Sequence, residues 1–220
     1  MDSSRFQAAA RKYHGRTPKQ NVRQWKEFNL ADLQSLFNEV RELARKELKL
    51  TSVVSDCAIR LGESREMRPD IKACYCPKPE PTILIQKNQS YWFLEEIVPI
   101  LAHEYGHHIL TSEVGLPHFN KFNATQEGFA EGIARLVGKP LAKQKENRNI
   151  TYHPLRNAEL YLLGIQKTLR SMEKDSILRS LLTPFGLFFY HQLGTTLFAV
   201  LEAERGPDIY RQILHGEFKW

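Results

Sequence analysis

The stretch LAHEYGHHIL, residues 101–110, sets three histidines and a glutamate inside an otherwise apolar run. From about Tyr91 to Thr111 the apolar residues recur at helical period, which predicts a buried helix, with Pro99 either kinking it or marking its true start. On such a helix His103 and His107 lie one turn apart on one face, with Cβ atoms about 6 Å apart. Two imidazole nitrogens so placed can converge on one Zn²⁺. Glu104 falls beside the ion rather than on it, where its carboxylate can take a proton from water held there. His108 points about 100° from His107 and is expected on a polar face or behind the ligands.

Two imidazoles do not fill a catalytic zinc site, which takes three protein ligands and keeps one position open. The stretch TQEGFAEGIARL, residues 125–136, supplies the candidates: Glu127 and Glu131 share one helical face. Nineteen residues separate His107 from Glu127, enough for a turn and a returning helix. Either carboxylate can ligate the ion, and the other can accept the free ring N–H of a ligating histidine and fix its tautomer. This second helix is expected from about Thr125 to Val137, stopped by Gly138 and Pro140, with residues 139–154 a polar surface excursion. Gly106, Gly128 and Gly132 each weaken a helix by about 1 kcal/mol relative to Ala, which suggests close helix packing beside the site.

Outward from these helices, residues 30–48 place Leu30, Leu33, Leu36, Phe37, Val40, Leu43 and Ala44 at helical spacing behind Asn29 as a cap. SVV at 52–54 and CAI at 57–59 suggest a strand, followed by a Gly-, Pro- and charge-rich loop through Pro81. TILIQK, residues 82–87, reads as a second strand. Further helices are expected at about 155–174 and 186–204, with Gly206-Pro207 before a short closing helix. The apolar stretch 180–203 is interrupted by Pro184, His191, Gln192 and Glu202, so it reads as a buried helix rather than a membrane span.

The chain has 220 residues and a formal charge of +6. Its basic surplus is concentrated in Arg5, Arg11, Lys12, Arg16, Lys19, Arg23 and Lys26, with no acid among them, which predicts a basic arm over 1–28 and one domain over 29–220. The domain divides into an α/β part, 29–113, and a helical part, 114–220. The arm can touch nucleic acid, an anionic membrane or an acidic partner, yet it lacks the aromatic spacing and fold motif of a nucleic-acid reader. No apolar segment follows the N-terminal charges as in a secretory leader, and Cys57, Cys74 and Cys76 do not form a disulfide framework. A cytoplasmic protein with three plain thiols is the expectation.

HEYGH, nineteen residues, then EGFAE resembles the gluzincin clan of zinc metallopeptidases, which includes thermolysin and the zinc aminopeptidases. The resemblance implies an α+β zincin-like fold, with a small N-terminal sheet and a mainly helical C-terminal half. It implies one catalytic zinc on His103, His107 and Glu127, Glu104 as general base, and Glu131 orienting His103. The clan residue at that last position is Asp in the thermolysin branch. HQLGTTLFAVLEAERGPDIYRQIL, residues 191–214, is more loosely similar to the aminopeptidase segment that supplies a hydrogen bond to the oxyanion. By that likeness the donor is His191, with Tyr190 one residue out of register as the alternative. In the clan the strand before the metal helix is a sheet edge that pairs with substrate, a place TILIQK would take.

The implied activity is hydrolysis of peptide or protein substrates. The Gly-x-Met-Glu-Asn stretch by which aminopeptidases hold the substrate amine is missing upstream of His103, so an endopeptidase is expected. The alternative is a regulatory or non-catalytic protein that keeps the fold for recognition and engages a partner or nucleic acid through its basic arm.

Overall fold

Asn29 starts the first helix as its sequence suggests. Its Oδ1 accepts the Asp32 backbone N–H at 2.9 Å, and the Asp32 carboxylate accepts that of Asn29 at 3.2 Å, a reciprocal capping box. A computed structural model of the chain describes residues 26–50, 56–63, 66–67, 71–87, 91–113, 115, 124–146 and 184–217. The first helix, α1, spans Leu30–Leu48 and ends at Lys49 in the left-handed conformation. It buries Leu33, Leu36, Phe37, Val40, Ala44 and Leu48, the predicted stripe apart from exposed Leu30 and partly buried Leu43.

Three strands, β2 (Ala58–Gly62), β3 (Ala73–Cys76) and β4 (Thr82–Gln86), form a sheet in the order β2-β4-β3. β2 runs parallel to β4, and β3 runs antiparallel to it. TILIQ is the central strand and not an edge: Ile83, Leu84 and Ile85 are all buried, Ile83 and Ile85 in the main core and Leu84 beneath Met67 and Gly62. An unbroken apolar run, rather than alternation, is the mark of a strand covered on both faces. The segment read as a loop through Pro81 contains a strand, β3, whose burial alternates as an edge strand's does. A separate ladder joins β1 (Lys26–Glu27) to β5 (Tyr91–Trp92). The last residues of the segment assigned to the arm thus belong to the folded part, and Phe28 lies in the core. Residues 1–25 and 51–55 are outside the described residues.

The histidine-bearing helix, α2, spans Leu94–Glu113 and begins five residues before Pro99, which lies inside it. α3 (Ala124–Ile133) passes through a π-helical turn, Ala134–Gly138, directly into α4 (Lys139–Glu146). The predicted stop at Gly138 and Pro140 therefore does not occur. The wider turn precedes Pro140, where an α-helical ladder would set its ring against the carbonyl four residues back. Gly138 packs against Pro99 and Ala102 of α2, where a side chain would not fit. Nor is 139–146 a polar excursion, since Leu141 and Ala142 are buried and Lys145 reaches Glu39 of α1 at 2.8 Å.

α5 (Pro184–Arg205) packs along α3, and α6 (Ile209–Leu214) closes the described chain. The helix predicted at 155–174 lies outside the described residues, as do 147–154. Among the described residues no helix is long and apolar enough to cross a membrane.

Candidate metal centre

Three helices meet where their glycines allow backbone contact. Gly106 of α2 abuts Ala130 of α3: a Cβ there would come within 2.7 Å of the Ala130 Cα. α3 crosses α5 where Gly128 meets the Gly194 carbonyl and Gly194 meets the Ala124 carbonyl, approaches that exclude any side chain. The first contact carries Glu127 and Glu131 over His103 and His107, and the second delivers His191, one turn before Gly194, to the same place.

The Nε2 atoms of His103 and His107 are 3.2 Å apart. Glu127 lies against both through different oxygens, Oε2 3.4 Å from His103 Nε2 and Oε1 3.7 Å from His107 Nε2. Ligands about 2.1 Å from a tetrahedral ion stand about 3.4 Å from one another, so this triangle has the size and donor chemistry of a divalent-cation site. A second triad shares two of its corners: His103, Glu127 and His191 present donor atoms within 4.8 Å of one another, with His191 Nε2 4.0 Å from Glu127. The His191 ring stacks on that of His103, centroids 5.5 Å apart. Behind His103, Glu131 lies 3.6 Å from Nδ1 and 3.7 Å from Lys139 Nζ.

The charges interlock. Burial disfavours a charged His103, but its hydrogen bonds to Glu127 and Glu131 outweigh that and lift it well above the usual histidine value. Burial likewise opposes ionised Glu127 and Glu131, yet the same imidazole brings each down to about 2. His191 is lowered by burial and by the neighbouring His103 charge. Glu104, in contrast, is pushed up to about 7, mainly by burial.

Glu104 also receives a hydrogen bond from the Tyr75 backbone on β3. The Gln86 N–H donates to the Lys72 carbonyl at 3.0 Å, so in this antiparallel ladder the pairs 72/86, 74/84 and 76/82 are the hydrogen-bonded ones. The backbone groups of Ala73 and Tyr75 consequently face outward from the sheet, toward α2. Beside them opens a cavity of about 280 Å³, walled by Lys72, Ala73, Pro99, Ile100 and Ala134, with His103, Glu104, Glu131 and His191 reaching into it.

The structure brings together His103, Glu104, His107, Glu127, Glu131 and His191. Tyr190 precedes His191 on α5, but its side chain lies outside the described residues. His108 is on no polar face: it is fully buried, with Nδ1 3.1 Å from the Tyr75 hydroxyl, and ties α2 to β3. Burial pushes the thiols of Cys57 and Cys74 up to about 12, and no metal-ready group among the described residues includes a cysteine. Sequence reasoning missed Tyr75, Ala73 and Lys139. Tyr75 and Ala73 act through backbone or edge position, and Lys139 through a turn whose width no local propensity announces.

No family model, curated protein or solved structure matches the chain.

Proposed function

We propose that this protein is a zinc-dependent peptide hydrolase of gluzincin type, cleaving within extended segments of peptide or protein substrates. The observation that carries the reading is the triangle of His103, His107 and Glu127, with atoms 3.2–3.7 Å apart, beside the buried carboxylate of Glu104. Imidazole and carboxylate donors suit zinc. His103, His107 and Glu127 would hold the zinc, which when bound would supply Lewis acidity toward a carbonyl and water.

The chain's own residues do the rest. Glu104, a buried carboxylate beside the triangle, takes a proton from the attacking water and returns it to the leaving amine. Glu131 faces His103 Nδ1 at 3.6 Å, which leaves Nε2 toward the triangle. His191 reaches into the same cavity and donates to the oxyanion that develops on the substrate carbonyl. An extended peptide pairs with the outward-facing backbone groups of Ala73 on β3, which holds it without regard to side chains. Such strand addition runs through a chain rather than gripping its end, and supports endopeptidase action.

A recognition protein without catalysis has no need of a base at Glu104, buried beside the triangle. The test is cleavage of unstructured casein by the zinc-loaded protein, with and without chelator. Glu104→Gln retains zinc and loses activity by at least about 100-fold, whereas His107→Ala loses the metal. Casein left intact by zinc-loaded wild-type protein, or cleavage that persists in Glu104→Gln, overturns the proposal.

A further inference from the structure

Glu131 would ordinarily pair with Arg135, one turn further along its helix. Arg135 instead turns away and is held by Glu202 and the Tyr210 hydroxyl, at 3.1 and 2.8 Å. The cation that reaches Glu131 is Lys139, eight residues on, with Nζ 3.7 Å from Oε1. In a regular α-helix eight residues turn through about 800°, leaving Lys139 about 80° round from Glu131. Between the two lies the π-helical turn Ala134–Gly138, closed by the Lys139 N–H on the Ala134 carbonyl. Such a turn absorbs one extra residue. Lys139 is thereby brought back to within about 20° of the Glu131 face, and helical side chains lean toward the N-terminus, in this case toward Glu131.

The two Glu131 oxygens have separate duties: Oε2 faces His103 Nδ1 at 3.6 Å, and Oε1 faces Lys139. Both residues are only partly exposed, at 17% for Glu131 and 34% for Lys139. We infer that Lys139 is a positioning residue of the metal centre, set in line by the π turn so that it holds the Glu131 carboxylate against His103 and thereby tightens zinc binding. This rests on the zinc reading above, and adds to it a residue that touches neither metal nor substrate.

The test is zinc affinity measured by chelator competition for wild type, Lys139→Met, Lys139→Arg, Glu131→Gln and the double variant. Lys139→Met is expected to weaken zinc by about 10- to 100-fold, as loss of a partner behind a metal ligand does. Lys139→Arg restores most of the affinity. In the Glu131→Gln background Lys139→Met adds little, because its effect passes through that carboxylate. Lys139→Gln serves in its place should the methionine variant not fold. Unchanged affinity in Lys139→Met, or an equal loss with and without Glu131, overturns the role of Lys139 and leaves the zinc site standing. Wild-type protein that takes up no zinc overturns both.

Discussion

His103 has to satisfy two carboxylates with a single ring. It faces Glu127 through Nε2 and Glu131 through Nδ1, and these two carboxylates favour its protonated form, lifting it well above its ordinary value of 6.5. An arriving cation competes with that proton for Nε2. Below the raised value the proton must be displaced, so affinity rises with pH and levels off only once His103 is neutral without metal. Calorimetric titration with zinc at pH 6.5, in two buffers of different ionisation enthalpy, should show release of about one proton, diminishing at higher pH. No proton release at pH 6.5 would contradict this account of the site. At this scale the sequence was informative: the spacing of His103 and His107 and the shared face of Glu127 and Glu131 are consequences of helical period, and the structure brings the four side chains together. The ladder phase of Tyr75, which sends its N–H to Glu104, depends on a partner strand and has no local signature.

β3 shows how an element's place decides its use. Cys74 spends its backbone groups on β4, while Ala73 directs its own toward the cavity. Proline at these two neighbouring positions should therefore act differently. Ala73→Pro removes an N–H that faces outward, so the fold should survive with KM raised by up to about tenfold, the worth of one hydrogen bond. Cys74→Pro removes a ladder bond and should lower the melting temperature instead. Equal melting temperatures and equal KM for the two variants would contradict the assigned edge. The strand itself was hidden in the sequence because it is short and lies between Lys72 and Pro77, in a segment rich in turn-forming residues. TILIQK was legible as a strand, but its place in the sheet depends on pairing with residues six to twenty-four positions upstream. The π turn was hidden for a different reason: Gly138 and Pro140 are stop signals by propensity, and packing of Gly138 on Pro99 overrides them.

Across the whole molecule the site depends on α3 and α5 keeping their crossing. Besides the Gly128–Gly194 contact, a polar lock just past the end of α3 helps to hold it: Arg135 of the π turn, 1% exposed, is bound to Glu202 of α5 through Nε at 3.2 Å and Nη2 at 3.1 Å, and to Tyr210 of α6 at 2.8 Å. Removing one partner of a buried ion pair strands the other's charge. Glu202→Ala should cost about 3–5 kcal/mol in chemical denaturation, although Glu202 lies outside the metal triangle. A loss below about 1 kcal/mol would show that the crossing is held by packing alone. This long-range architecture was the least legible part, because contacts such as Arg135–Tyr210 span 75 residues. What the sequence did carry was the steric condition for it, glycines where helices must touch. The central claim is that two helices close around a single ion. Its most direct measurement is an anomalous difference map from a crystal of the zinc-loaded protein. The account predicts one strong peak within about 2.2 Å of His103 Nε2, His107 Nε2 and a Glu127 oxygen; a zinc-loaded crystal with no peak there, or with zinc bound elsewhere, would contradict it.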